Sequence, residues 1–216
     1  ELQLTENKAI ILTTVPSTIE QFNMANIKLL KKLGYKVEVA SNFNLTGNID
    51  NTRLENFKKE LKDMGIKIIN IGFSRNLLNI SNIKAYFQLK KRFKNEHYKI
   101  IHCHTPICSV LTRIVARKTR KKGTKVIYTA HGFHFYKGAP LLNWIIYYPI
   151  EKICAKWTDC LITINEEDYN LAKTKFKAKK IELINGIGVD ESKFKFLITD
   201  EEKEKIREEL KLKKDD

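Results

Sequence analysis

Hydrophobic and polar positions along the chain alternate between short apolar or β-branched runs and longer stretches of helical period. The runs are KAIILTTV (8–15), KVEVAS (36–41), IKIINI (66–71), KIIHCH (99–104), KVIYTA (125–130), DCLITI (159–164) and KIELI (180–184). Runs of this length read as strands. Their alternation with helical segments predicts an α/β fold with a mostly parallel sheet of about seven strands.

Between the runs, Ile107, Val110, Leu111, Ile114 and Val115 recur at steps of three and four. This predicts an amphipathic helix packed on the sheet, with Arg113, Arg117, Arg120 and Lys121 on its other face. From Asn79 to Asn95 the same period places Ile83, Tyr86, Phe87 and Phe93 inside and Lys84, Lys91 and Arg92 outside. Pro16, Pro106 and Pro140 follow strands and suit the first turn of the next helix. They mark the carboxyl ends of the strands, the edge at which open α/β sheets bind ligands. The terminal TDEEKEKIREELKLKKDD reads as a charged helix with few apolar anchors. Residues 1–196 are therefore expected to form one domain, and 197–216 a helical connector to a further one.

Charge adds an expectation about partners. Lys and Arg number 40 against 25 Asp and Glu, a net +15, which favours an anionic partner such as a nucleotide, a nucleic acid or an acidic membrane surface. Cys103, Cys108, Cys154 and Cys160 lack the paired spacing of metal or redox motifs and read as reduced core thiols of a cytosolic protein. No apolar run reaches the ~18 residues of a spanning helix. The opening ELQLTENK lacks the pattern of a secretory signal, so membrane contact is expected to be peripheral.

Candidate chemistry gathers at the strand edge. His102 and His104 lie in IHCHTP, and His131 and His134 in TAHGFHFYKGAP. Three of these histidines suffice in number for zinc, which makes a zinc hydrolase one reading, but the loops hold no acidic residue to activate water, and no metal is expected. His131, followed by Gly132, is instead placed to hydrogen-bond a hydroxyl or phosphate. Phe133, Phe135 and Tyr136 stack on a sugar or anchor the loop. The first strand-to-helix turn, TTVPSTIEQFN, has no glycine, which argues against a dinucleotide-dependent oxidoreductase. Ser17 and Glu20 there fit a capping box, although Ser17 and Thr18 are also placed to donate to a ligand. In TINEEDYNLA, Asn165 reads as a helix cap and Glu166, Glu167 and Asp168 complement the helix dipole. INGIGVD (184–190) carries Asn-Gly turn chemistry. A basic nucleic-acid-binding module is the second reading, but the aromatics do not interleave with the basic runs.

Taken in order, TTVPSTIEQFNMANIKLLKKLGYKVEVAS, IHCHTP, YTAHGFHFYKGAPLLNWIIYYPIEK, DCLITINEEDYNLA and INGIGVDESKF resemble the N-terminal half of a GT-B glycosyltransferase of family 4, a group rich in capsular and exopolysaccharide enzymes. The likeness covers about residues 8–196, and AHGFHFYKG is its most specific block. The resemblance implies a Rossmann-like, doubly wound domain that receives the acceptor, facing a missing C-terminal domain that binds a nucleotide-sugar. It implies sugar transfer with retention to a lipid-linked or polysaccharide acceptor, with no cofactor. His131 takes the family position at the reacting centre. His104 and Thr105 are expected to shape the acceptor site, with Gly132, Phe133, Tyr136 and Lys137 holding the acceptor. Many members carry a glycine-rich first loop, so a phosphate-cradling role does not transfer to Thr14 through Thr18. Lys84, Lys91, Arg92, Arg113 and Arg117 would face an anionic membrane bearing a lipid-diphosphate acceptor, at the inner face of the cell membrane. The fragment alone is expected to be inactive.

Overall fold

All seven apolar runs form strands. The computed structural model describes residues 7–186, 188, 199–210 and 212. The elements follow as β1 (Lys8–Leu12), α1 (Pro16–Phe22), α2 (Met24–Lys32), β2 (Lys36–Ser41), α3 (Asn51–Asp63), β3 (Lys67–Asn70), α4 (Ser81–Asn95) and β4 (Ile100–His104). After these come α5 (Pro106–Arg120), β5 (Lys125–Ala130), α6 (Leu141–Ala155), β6 (Cys160–Thr163), α7 (Glu166–Lys175), β7 (Lys180–Leu183) and α8 (Asp200–Glu209). Pro16 and Pro106 each open a helix and Pro140 caps α6, where a missing N–H costs nothing.

The strands pair in the order β3-β2-β1-β4-β5-β6-β7, each pair parallel. The chain winds outward from β1 to β3, then restarts at β4 on the other side of β1. Right-handed crossovers consequently place helices on opposite faces for the two halves of the winding. Ala9 and Ile11 of β1 pack with Ile19, Ile27, Leu54, Phe57 and Leu61 from α1, α2 and α3. Ile10 and Leu12 face the other way, toward Leu89 of α4, Cys108 of α5, Ala155 of α6 and Phe176 beyond α7. This two-sided burial explains why β1 reads as a continuous apolar run rather than an alternating one.

Two helices turn other faces inward than their period suggested. On α4 the buried stripe is Asn82, Ala85, Leu89 and Phe93, while Ile83 and Phe87 are each 58% exposed. The helix carries two apolar stripes, and only one can meet the sheet. Arg92 is not a surface cation either: it pairs with the carboxylate of Glu38, which also accepts from the Tyr98 hydroxyl. On α5, which packs between α4 and α6, Arg113 is 1% exposed. Its Nη2 donates to both oxygens of Glu151 at 3.0 and 2.8 Å, and its guanidinium lies 4.2 Å from the Tyr128 ring centre. Arg113 is thus a core ion-pair residue, unavailable to a membrane, and Arg92 is a partly buried one whose charge is already paired. Lys84, Lys91 and Arg117 are exposed, the last stacked 4.5 Å over Trp157.

Cys103, Cys108 and Cys154 are buried free thiols, and burial raises the Cys103 thiol to about 12. Among the described residues no helix is long and apolar enough to cross a membrane. Contacts divide the chain into two compact units, Glu1–Gly186 and Ile187–Asp216. Within the second, α8 carries a capping box between Thr199 and Glu202. The boundary expected at 196, and the INGIGVD turn beyond Gly186 apart from Gly188, lie outside the described residues.

Candidate active site

The order of the strands reverses between β1 and β4, and the carboxyl ends of these two strands frame a crevice. Threonines bridge it. The Thr14 backbone N–H donates to Thr105 Oγ1 at 3.1 Å, and the two hydroxyl oxygens lie 2.7 Å apart. Thr105 Oγ1 also donates to the His104 carbonyl at 2.5 Å. These bonds hold Thr105 at φ 64°, ψ 143°, the only positive φ outside glycine among the described residues. A β-branched residue there is strained, by about 1–3 kcal/mol, and such strain concentrates at functional sites.

Next to this bridge stands a row of imidazoles. β4 persists through His104, so His102 and His104 share one face, with ring centres 4.2 Å apart. Register then brings β5 alongside, His104 opposite Thr129. His102 Nε2 bonds Thr129 Oγ1 at 2.9 Å, and His104 Nδ1 lies 3.0 Å from His131 Nε2. His104 is 2% exposed, and its Nε2 is buried without a hydrogen-bond partner. His131 is only partly buried, its ring 5.3 Å from that of Phe22 on α1. Burial lowers the affinity of all three rings for a proton. His102 falls to about 4, helped by the neighbouring His131, and His104 falls well below the ordinary histidine value. All three are neutral near pH 7. Among the described residues no group of three or more His, Cys, Asp or Glu is placed to hold a metal ion.

The loop after β5 is built to present His131. Gly132 has φ 130°, which favours glycine and turns the chain sharply behind the histidine. The next residues run in and out with period two. Phe133 and Phe135 are buried and stack at 4.9 Å, while His134 and Tyr136 point outward. Phe133 is therefore a loop anchor and is not available to stack on an acceptor. Its N–H donates to Asp168 Oδ2 at 3.0 Å, and the Lys137 N–H to Glu167 Oε1 at 2.7 Å. The acidic first turn of α7, capped by Asn165 as expected, thus also fastens this loop.

The remaining expected residues separate. A cavity of about 230 Å³ opens over the crevice, lined by Thr14, Val15, Thr18, Arg75, Thr105, Pro106, Ile107, His134 and Tyr147. Thr18 and Thr105 line it; Tyr136 and Lys137 do not. Ser17 is buried, and its Oγ accepts from the Asn48 N–H at 3.3 Å. A Cβ on Gly47, at φ 76°, would lie 2.1 Å from that oxygen, so Ser17 packs against the neighbouring loop and does not line the cavity. The capping box does not form: Val15 occupies the cap of α1 and Glu20 pairs with Arg53. Arg75 and Tyr147 escaped sequence reasoning because nothing local marks them. They reach the crevice from the β3–α4 loop and from α6.

Residues 19–192 match the family model described as Glycosyltransferase Family 4. The chain belongs to glycosyltransferase family 4. This family 4 domain is 39% identical over 210 residues to "Putative glycosyltransferase EpsD" of Bacillus subtilis, covering 97% of this chain and 51% of the relative. It is 33% identical over 122 residues, covering 56% of this chain and 31% of the relative, to the Escherichia coli UDP-Gal:alpha-D-GlcNAc-diphosphoundecaprenol alpha-1,3-galactosyltransferase. The chain thus spans about half the length of the first relative and less of the second. In fold it is similar to a UDP-GlcNAc 2-epimerase from Methanocaldococcus jannaschii, with TM-score 0.53 at 15% identity over 83% of this chain and 45% of that one. That likeness concerns the fold alone. The architecture is the N-terminal, Rossmann-like half of a GT-B fold.

Proposed function

We propose that this family 4 domain forms the acceptor side of a glycosyltransferase that moves a hexosyl or N-acetylhexosaminyl group, with retention, from a nucleotide-sugar to a lipid-linked glycan. The observation that carries the reading is the crevice between β1 and β4. There a cavity lined by Thr14, Thr18, Thr105, Arg75 and Tyr147 opens beside the end of β4, whose last residue, His104, holds the partly buried imidazole of His131. Hydroxyls and an aromatic ring suit a sugar, and Arg75 suits a phosphate attached to it. The E. coli relative, whose name describes a diphosphoundecaprenol acceptor, supports the lipid-linked class. In this reading a second domain supplies the donor site, and the domain alone is inactive. No cofactor beyond the nucleotide-sugar takes part.

His131 donates a hydrogen bond to the donor sugar or leaving phosphate as charge develops there. The domain works peripherally at the inner face of the cell membrane. Lys84, Lys91 and Arg117, with the outward Ile83 and Phe87 of α4, are the residues that would meet an anionic bilayer. The test is turnover of a radiolabelled nucleotide-sugar on a diphosphate-lipid acceptor by the enzyme that carries this domain. His131→Ala is expected to lower turnover at least tenfold, about 1.4 kcal/mol of transition-state stabilisation. Unchanged turnover, or an inverted anomeric configuration in the product, refutes the corresponding part of the reading.

A further inference from the structure

We infer that His104 is a positioning residue that fixes His131 in one tautomer, with its proton on Nδ1. The inference rests on the reading of His131 as the group at the reacting centre, but concerns its buried neighbour.

The argument starts from burial. His104 is 2% exposed, so it cannot shape an acceptor by contact. Its Nδ1 lies 3.0 Å from His131 Nε2, and one of these two nitrogens must carry the shared proton. Two arrangements satisfy that bond. In the first, His104 carries its proton on Nδ1 and donates to His131 Nε2. In the second, His131 donates from Nε2, and His104 must then carry its own proton on Nε2. That nitrogen is buried with no hydrogen-bond partner. The second arrangement strands a buried N–H donor, which folded proteins avoid most strictly, whereas the first leaves only a bare lone pair. The first is therefore favoured. His131 Nε2 is occupied as an acceptor, and the ring's one proton sits on Nδ1, for which the described residues supply no partner.

The surroundings hold this state. The ring contacts of His104 are with His102 and His131, and His102 is itself engaged by Thr129. No carboxylate is hydrogen-bonded to any of the three rings among the described residues, so nothing stabilises an imidazolium, and burial disfavours it. The chemical consequence is definite. His131 offers a neutral N–H donor to an oxygen bearing developing negative charge, and it offers no lone pair with which to take a proton. It polarises; it is not a general base.

The tautomers are read directly in the 216-residue chain, labelled with ¹⁵N-histidine, by long-range proton–nitrogen correlation at pH 7.5. The expected result is Nδ1-protonated rings for both His104 and His131. Protonation of His131 on Nε2 overturns the inference. His104→Leu removes the donor, and His131 should then populate both tautomers. A ring that stays wholly Nδ1-protonated in that variant shows that His104 does not set it. His104→Asn places an amide donor near the lost Nδ1 and should restore the single tautomer. If the leucine variant does not fold, the wild-type and asparagine spectra decide. The outcome is separate from turnover, which is measured in the enzyme that carries this domain: a wrong tautomer beside an active enzyme sinks this inference alone, and the expected tautomer beside an inactive enzyme sinks the transferase role instead.

Discussion

Removing the Glu151 carboxylate should leave the Arg113 cation stranded in the core. Arg113 Nη2 reaches both Glu151 oxygens at 3.0 and 2.8 Å, and its other partners are neutral: the Ser109 carbonyl and hydroxyl, both at 3.1 Å, and the Tyr128 ring. With the side chains only 1% and 8% exposed, water cannot replace the lost anion. Breaking such a pair costs about 3–5 kcal/mol, a large part of the ~5–15 kcal/mol that holds a typical domain together. Glu151→Ala should therefore lower the urea midpoint by roughly 2 M at a slope near 2 kcal/mol/M. Replacing both partners by apolar residues, Arg113→Met with Glu151→Leu, removes the desolvation penalty along with the attraction and should recover most of the loss. Circular dichroism across a urea series measures both. A midpoint shift under about 0.5 M for Glu151→Ala, or a double variant as unstable as the single one, would refute the reasoning.

The buried histidines predict a pH dependence. Their folded affinity for protons lies below the ordinary value of 6.5, so as pH falls below 6.5 the unfolded chain protonates first and stability drops. Each ring contributes at most about 1.4 kcal/mol per pH unit, down to about pH 4 for His102. Urea midpoints between pH 7 and 5 should fall less steeply in His102→Phe than in the parent; equal slopes count against this assignment. At Thr105, glycine should be more stable than alanine, reversing their usual order. Both lose the hydroxyl bridge to Thr14, but only glycine also sheds the strain of φ 64°, about 1–3 kcal/mol. Thermal midpoints of Thr105→Gly and Thr105→Ala give the comparison, and an alanine variant at or above glycine would contradict it.

The seven strands, the parallel α/β class and the Asn165 cap were legible in the chain because each depends on local pattern. An apolar run a few residues long has few stable alternatives once helical segments flank it, and a capping asparagine needs only the next three residues. The neighbouring placement of the two histidine loops was legible too, since parallel strands and right-handed crossovers leave few arrangements.

Periodicity did not tell which stripe of a two-striped helix turns inward, because that choice belongs to the surface it meets. Ile83 and Phe87 therefore lie outside, while Arg113 is buried and Arg92 partly so, each paired with a carboxylate from a distant element: Glu151 on α6 and Glu38 on β2. The same holds for the crevice. Arg75, Tyr147 and the Thr14–Thr105 bridge are brought together by strand order and not by spacing. The roles of the histidines divide for the same reason. Residue type marks His104 and His131 alike as possible ligand contacts. Only the packed sheet, by burying His104 and joining its Nδ1 to Nε2 of the partly buried His131, gives the two imidazoles different surroundings.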